Sequence, residues 1–190
     1  MDVETIRLRI TGTKRLVMHS GRLADPLDPI ARDLKRLTSK KSKTEADHLE
    51  ISRIEWFGGL WLDDGKPCIP CEALMATFVA AAKTRKKGDD AKVGLIVERH
   101  AALEYAGPTD IDELWEDKNF RLRVGVKVRN ARTMRTRPRF DHWSAEFTAH
   151  YFPSLFDRQS VIDLYKVAGF VKGLGDWRPQ HGNFSVEDIE

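Results

Sequence analysis

The sequence predicts an α+β fold, and three observations carry that prediction. Residues 5–11 alternate without error between apolar and polar side chains, which is the period of a half-buried strand. Residues 121–129 and 143–151 repeat the same alternation. Residues 70–83 and 157–168 instead carry apolar side chains at helical spacing. Strands and helices are therefore mixed along the chain.

The composition limits the classes of protein that fit. The 190 residues have a formal net charge of only +3, so the distribution of charge decides what the chain binds. No apolar run approaches the roughly 20 residues needed to cross a bilayer. The first four residues lack the basic start of a signal peptide, and the presence of only two cysteines argues against a secreted disulfide scaffold. We expect a cytoplasmic protein.

The N-terminal third predicts one strand and two helices. After strand 5–11 the chain is loop-like from Gly12 to Pro29, where Asp28 is placed to cap a short helix. Thr44 and Asp47 have the spacing of a capping box for a second helix, which Gly58 and Gly59 would end. The apolar stripe of the first helix is Ile30, Leu34 and Leu37.

The middle of the chain predicts a hairpin over residues 59–69 with Asp64 and Gly65 as its turn. Pro70 then opens the most strongly patterned helix. Residues 83–90 are a charged loop, residues 93–97 a strand, and residues 109–120 contain a short helix.

The C-terminal third predicts a strand at 121–130, a basic loop that runs to Arg139, and a strand at 143–151. Asp157 is placed to cap a helix that Gly169 ends, and residues 183–187 form a last strand.

The strongest elements follow the order strand, helix, strand, strand, helix, strand. This is the ferredoxin-like (RRM-like) plan, a four-stranded antiparallel sheet with two helices on one face. We expect one domain over residues 1–190, with insertions at about 12–68 and 84–118. The other face would be open, as in modules that bind RNA there, and would present Arg7, Arg9, Arg121 and Arg123.

A basic segment is the strongest chemical signal. Residues 119–140 contain eight arginines and lysines and no acidic residue. The predicted strand face carries Arg121, Arg123, Lys127 and Arg129, and the predicted loop carries Arg132, Arg135, Arg137 and Arg139. Arginine suits phosphate because its planar fork donates two hydrogen bonds and stays charged. The alternative is a solvated face paired with carboxylates elsewhere.

A glycine-rich segment near the C-terminus is the second signal. Gly173 and Gly175 permit positive φ and close backbone approach, so their N–H groups could hold phosphate. Trp177 offers a ring on which a base could stack, with the charge of Arg178 beside it. The alternative is a tight helix-to-strand connection with Trp177 as a lid on the core.

The late helix, the Gly-x-Gly loop followed by Gly182-x-Phe184, and the final strand together resemble the RAMP superfamily. These are ferredoxin-like proteins that include the RNA-binding backbone and processing subunits of CRISPR systems. The opening strand and Gly21 are similar to that family's start, and the whole sequence looks like small proteins of phages and prophages. The loop departs from the family pattern because its gap before Gly182 is long. The resemblance implies a single strand held along its backbone, by several copies side by side.

Three groups of residues could indicate an enzyme. Cys68 and Cys71 have redox spacing, but no thioredoxin-like order precedes them and two cysteines are half a zinc site, so we interpret them as structural. His19 falls where some RAMP endoribonucleases keep a catalytic base, without an evident partner. Three acids follow the same loop, near the position of an acidic residue in RNA-cleaving RAMP subunits: Asp25, Asp28 and Asp33. Turn formation by Asp25 and helix capping by Asp28 explain two of them, and Asp33 stays a candidate.

The sequence therefore favours a non-catalytic, largely sequence-independent binder of single-stranded RNA or DNA, with no cofactor or metal. Two alternatives stay open. One is a metal-independent RAMP-type endoribonuclease, and the other is a phage interference or structural protein that contacts a CRISPR-like complex.

Overall fold

The computed structural model of the chain describes residues 2–128 and 131–190. The strands in chain order are β1 (Glu4–Gly12), β2 (Leu16–Val17), β3 (Leu62–Asp63), β4 (Lys66–Ile69), β5 (Leu95–Ile96), β6 (Ala101–Ala102), β7 (Arg121–Val128), β8 (Ala131–Phe140), β9 (Ser144–Tyr151) and β10 (Phe184–Asp188). The α-helices are α1 (Pro29–Thr38), α2 (Glu45–Gly59), α3 (Cys71–Ala82), α4 (Gly88–Gly94), α5 (Ile111–Glu116) and α6 (Arg158–Val167).

The chain forms two compact units. Unit 1 comprises Met1–Leu16, Leu62–Ala106 and Asp141–Glu190, and unit 2 comprises Val17–Trp61 and Gly107–Phe140. Helices and antiparallel strands occur in both, which confirms the α+β class. The expectation of one domain with two insertions stays a prediction.

Unit 1 is built on a four-stranded antiparallel sheet of order β10–β1–β9–β5. Strand β1 is central, with Leu8 opposite both Phe147 of β9 and Asp188 of β10. The apolar residues of β1 are Ile6, Leu8 and Ile10, and each is at most 1% exposed. This burial confirms the prediction, made from the alternation in the sequence, that β1 has one buried face and one polar face.

Helices α3 and α6 pack against each other in unit 1. The rings of Phe78 and Tyr165 lie 5.0 Å apart, and the ring of Tyr165 lies 5.2 Å from that of Phe147 on β9. Such aromatic contacts add to the burial of apolar area. These two helices therefore share one core with the sheet.

A small second sheet of unit 1 has the order β3–β4–β6. Its hairpin turns at Asp64 and Gly65, which have φ angles of 47° and 74°. Two positive φ values are what a two-residue hairpin turn requires, so the Asp-Gly pair explains this turn. The predicted hairpin is confirmed.

The expectation that residues 121–130 join the main sheet is wrong. Strand β5 takes the fourth place beside β9, while β7 pairs with β8 in unit 2. Alternation predicts a half-buried strand but not its partner. When β7 pairs with β8, the next strand in the chain, the loop that is closed is short. Closing a short loop costs less conformational entropy than closing the longer loop to a distant strand.

Unit 2 contains a three-stranded sheet of order β2–β8–β7 and the helices α1, α2 and α5. Asp28 caps α1 by accepting the N–H of Ile30 at 2.8 Å, and Thr44 with Asp47 forms the predicted capping box of α2. Trp56 is fully buried and donates its indole N–H to the Phe120 carbonyl at 2.8 Å.

Several local expectations need correction. The basic loop up to Arg139 is strand β8, because its residues pair in register with β7. The charged segment 83–90 contains the start of α4, and helix α6 continues past Gly169 as a π-helical segment, Ala168–Lys172. Within the part of the chain that the structure describes, no helix is long and apolar enough to span a membrane.

Candidate nucleic-acid interface

The predicted basic segment forms the hairpin β7–β8 of unit 2. Its register runs from Arg121 opposite Pro138 to Lys127 opposite Arg132, with Arg123 opposite Thr136. Because directly opposed residues share a sheet face, Arg121, Arg123 and Lys127 lie on the same face as Arg132. Arg129 lies outside the described residues. Four of the eight cations are thus brought to one face of the hairpin.

The remaining arginines alternate onto the other side of β8. The Arg135 guanidinium forms an ion pair with Glu55 at 2.6 Å, and Arg137 is only 8% exposed. Arg139 donates its Nε–H to the Asn119 carbonyl at 3.0 Å. The expectation of one loop lined by all four arginines is therefore wrong, since the period of a strand separates Arg132 from the other three.

A groove of about 1270 Å³ is formed within unit 2 by α1, α2 and the hairpin. We call it the basic groove. Its charged lining residues are Lys35, Lys43, Glu45, Glu55, Arg123, Arg132, Arg135 and Arg137. Its other lining residues are His19, Leu23, Ala24, Ala31, Leu34, Thr38, His48, Leu49, Ile51, Ser52, Thr133, Met134 and Thr136.

The charge of the basic groove is strongly positive. Six lysines and arginines line it against two glutamates, a balance of +4 for these residues. Arg123 and Arg132 are exposed, and neither forms an ion pair with any residue that the structure describes. Lys35 on α1 is likewise exposed and unpaired over that range. These three side chains can therefore bind a phosphate without first breaking an ion pair with a protein carboxylate.

Apolar side chains are exposed in the same groove. Leu49 on α2 is 61% exposed and Met134 on β8 is 48% exposed. Flexible, polarisable methionine suits contacts with varied apolar surfaces. A ligand with charged and apolar faces, such as an unpaired nucleotide, would satisfy both kinds of lining.

Glu55 is one residue of this groove that the sequence did not indicate, and Lys35 and Lys43 are two others. Glu55 is 2% exposed, and its carboxylate also accepts the backbone N–H of Thr136 at 2.8 Å. The Thr136 hydroxyl is hydrogen-bonded to that of Ser52 at 2.7 Å. These contacts attach α2 to the edge of β8 and fix the Arg135 side chain. The sequence does not indicate this role, because the partners of Glu55, Arg135 and Thr136, are about 80 residues away in the chain.

The candidate catalytic residues of the N-terminal loop separate in the structure. His19 lines the basic groove, whereas Asp25, Asp28 and Asp33 do not. Asp25 accepts the Leu27 N–H at 2.8 Å, and Asp28 caps α1 and pairs with Arg22 at 2.9 Å. The pKa of Asp28 is lowered by the hydrogen bonds from Arg22, Ile30 and Ala31, which outweigh its desolvation. Capping and turn formation account for these two acids.

Arg121 is directed at an aromatic ring. Its guanidinium lies 4.2 Å from the centroid of the Trp115 ring and donates to the Glu116 carbonyl at 3.0 Å. A cation over an indole face is attracted by the ring quadrupole. Arg121 is thereby held at the α5 side of the hairpin, and it does not line the basic groove.

The arginines of β1 are paired on the polar face of the unit 1 sheet. Arg7 and Arg9 both reach Glu146 on β9 at 2.7 Å, and Arg9 also binds Glu104. A cross-strand glutamate thus neutralises much of the charge expected there. Arg121 and Arg123 belong to another sheet, so the four arginines do not form one face. Their role in binding stays a prediction.

The glycine-rich segment of unit 1 is a tightly bonded connection. The N–H of Gly173 is donated to the Ala168 carbonyl at 2.8 Å, and that of Gly182 to the Arg15 carbonyl at 2.8 Å. A Cβ on Gly182 would lie 1.7 Å from the Leu174 carbonyl oxygen. These two N–H groups are therefore occupied, which leaves Gly175 as the glycine that could contact phosphate.

Trp177 and Arg178 lie between Gly175 and Gly182 in the glycine-rich segment. Trp177 is half-buried with φ 53°, and its ring lies 6.2 Å from that of His181. Burial and the nearby Arg15 and Lys14 lower the pKa of His181. Arg178 is exposed. Stacking of a base on Trp177 stays a prediction.

Comparison with known proteins gives a likeness in fold. No protein-family model matches the sequence, and no curated protein matches it. Among solved structures, a chain of the cryo-EM structure of Type III-B Cmr-beta bound to cognate target RNA is similar, with a TM-score of 0.54 and 9% identity. The match covers 99% of this chain and 61% of that one, so the present chain spans about three fifths of its neighbour's length. At this identity the comparison shows similarity of fold alone.

Proposed function

We propose that this chain binds single-stranded RNA or DNA, mainly through phosphates, in the basic groove. The observation that carries the proposal is the convergence of six cations from α1, the segment before α2, and the β7–β8 hairpin, against two carboxylates. Neutralising several phosphates releases counterions and gives affinity without sequence preference. The expected binding is therefore strong at low salt and tolerant of sequence.

A single strand suits this groove better than a duplex. Leu49 and Met134 expose apolar surface between the cations. In a duplex the base faces are stacked and hidden, whereas an unpaired strand presents them to such side chains. Cations for the backbone and apolar contacts for the bases together favour the unpaired form.

The ferredoxin-like plan is supported for unit 1. When its four sheet strands are numbered along the chain, their order is fourth, first, third, second, with α3 and α4 following the first strand and α6 following the third. Strand β5, rather than β7, is the second strand of this plan. The similarity to a chain of RNA-bound Cmr-beta supports kinship with RAMP proteins. A CRISPR-related role and a phage or prophage origin stay predictions.

The test is the affinity for labelled oligonucleotides by fluorescence anisotropy over a series of salt concentrations. Single-stranded RNA and DNA of mixed sequence should bind, with affinity that falls steeply as salt rises, and a duplex of the same length should bind less tightly. The absence of binding at low salt would contradict the proposal. The alternative of an interference or structural protein that contacts a CRISPR-like complex would then be preferred, with an acidic protein surface as the partner of the basic groove.

One observation favours a second candidate function, an endoribonuclease. His19 lines the basic groove and could act as a general base on a 2′-hydroxyl of bound RNA. Incubating the protein with end-labelled RNA in the presence of a chelator tests this. Defined products that His19→Ala abolishes, without loss of binding, would establish it. Intact RNA would favour binding without cleavage.

Side-by-side assembly of several copies on one strand is part of the proposal. Light scattering on mixtures with oligonucleotides of increasing length tests it, because the number of bound copies should rise with length. A single copy on every length would contradict assembly and leave the binding proposal unaffected.

A further inference from the structure

Three side chains of different chemistry that can each bind a metal ion meet in unit 1, and none of them lines the basic groove. The sulfur of Cys71, a carboxylate oxygen of Glu72 and a ring nitrogen of His100 all lie within 4.8 Å of one another. We propose that these residues, the Cys–Glu–His cluster, bind a zinc ion. This site is independent of the proposed nucleic-acid binding.

The backbone brings the three residues together. Strand β4 pairs with β6 so that Cys68 is opposite Ala102 and Ile69 is opposite Ala101. His100 directly precedes β6, and Cys71 begins α3 with one residue between it and the end of β4, so the pairing of β4 with β6 brings the two residues close together. The backbone N–H of Cys71 donates to Nδ1 of His100 at 3.1 Å. The ring is thus held at the first turn of α3.

The separations suit a small closing movement around one ion. Zinc ligands lie about 2.0–2.3 Å from the metal, which puts tetrahedral ligand atoms about 3.3–3.8 Å from one another. Glu72 Oε2 is 4.0 Å from Nδ1 of His100, and both side chains are partly exposed, at 73% and 35%. Rotation of these two side chains can close the remaining gap while the buried Cys71 stays in place. The His100 Nδ1 lone pair that accepts the Cys71 N–H would then turn to the ion, so zinc would replace this hydrogen bond.

The set of donor atoms matches zinc rather than a hard cation. Zinc is borderline-soft and accepts thiolate, imidazole and carboxylate, and three protein ligands leave a fourth position open. Binding converts the Cys71 thiol to a zinc-bound thiolate, and the thiol proton is released to the solvent.

Burial argues against the redox use of the Cys-x-x-Cys spacing. Cys68 is 2% exposed and Cys71 is 8% exposed, so both sulfur atoms are buried, which disfavours the charged thiolate. The thiolate is the nucleophile in disulfide exchange, so two protonated thiols react slowly. Cys68 is 2% exposed and does not belong to the cluster. Its role is that of a small core residue.

Cobalt(II) is the probe that distinguishes a zinc site from two structural cysteines. It binds in zinc sites, and its absorption spectrum depends on the number and type of its ligands. Titration of the reduced, metal-free protein should give one bound cobalt per chain. The spectrum should have visible bands of tetrahedral cobalt and a near-ultraviolet band of sulfur-to-cobalt charge transfer, and zinc should displace both.

Variants assign the bands to residues. Cys71→Ser should remove the sulfur band, and His100→Gln and Glu72→Gln should each weaken cobalt binding at least tenfold. Cys68→Ser and His142→Gln, a change at an exposed histidine of the same unit, should leave the spectrum unchanged. Circular dichroism verifies that each variant is folded. Failure to bind cobalt, or a sulfur band that persists in Cys71→Ser, would overturn the proposal. Oligonucleotide affinity should be the same with and without zinc, so the two proposals succeed or fail separately.

Discussion

The carboxylate of Glu55 and the guanidinium of Arg135 form an ion pair of 2.6 Å between α2 and β8 of unit 2, with Glu55 almost fully buried. The pair cancels one positive charge of the basic groove and fixes the position of Arg135. Cationic side chains without a carboxylate partner are expected to contribute most to the binding of a phosphate. The pair therefore divides the basic residues of the hairpin into structural and ligand-facing groups.

Replacing Glu55 with glutamine should make nucleic-acid binding more dependent on salt. The amide can still accept the Thr136 N–H, but Arg135 gains a free charge. For single strands each added phosphate contact steepens the slope of log affinity against log salt by about 0.7. Arg135→Ala is the matched control. It should leave the slope nearly unchanged and cost about 3 kcal/mol of unfolding free energy, because a buried carboxylate loses its partner.

Replacing Lys35, Arg123 and Arg132 together with alanine should flatten the salt slope by about 2, as expected for three lost phosphate contacts. All three are exposed residues of the basic groove, so the melting temperature should hardly change. The control removes three exposed cations of unit 1 instead: Lys66, Arg99 and Lys166. Equal effects of the two triple changes would indicate a general charge effect and would argue against the groove.

Trp177→Ala distinguishes a stacking ring from a lid on the core. If a base stacks on the ring, affinity should fall by about 1–3 kcal/mol without a change in salt slope, and Trp177→Phe should restore most of it. A lid would instead lower the melting temperature in proportion to the lost affinity. Anisotropy and thermal unfolding measured on the same samples separate the two outcomes.

Gly182→Ala should destabilise unit 1 severely. The added methyl group would lie 1.7 Å from the Leu174 carbonyl oxygen, at a φ of +76° that alanine rarely adopts. We expect a loss of at least about 2 kcal/mol of unfolding free energy. Gly21→Ala is the control, because no atom lies within 4 Å of its Cβ position. A Gly182→Ala protein as stable as the parent would show that the connection rearranges readily.

Local patterns in the sequence determined much of the secondary structure. The capping residues Asp28 and Thr44 begin the helices where expected, and the Asp64–Gly65 pair turns the hairpin. Alternation located β1 and β9 within a residue or two. These features depend on contacts between residues that are near in sequence, so the sequence alone is sufficient to find them.

The tertiary structure decided which strands pair and which charges remain free. Residues 121–128 have the pattern of a half-buried strand, but this pattern does not name the partner strand. In the structure β5 occupies the place beside β9, and residues 121–128 pair with β8 in a second sheet. Likewise the sequence counted eight cations in residues 119–140, but Glu55, far away in sequence, selects Arg135 for an ion pair and leaves Arg132 exposed. The physical reason is that strand pairing and charge neutralisation depend on partners distant in sequence, which a local pattern does not specify.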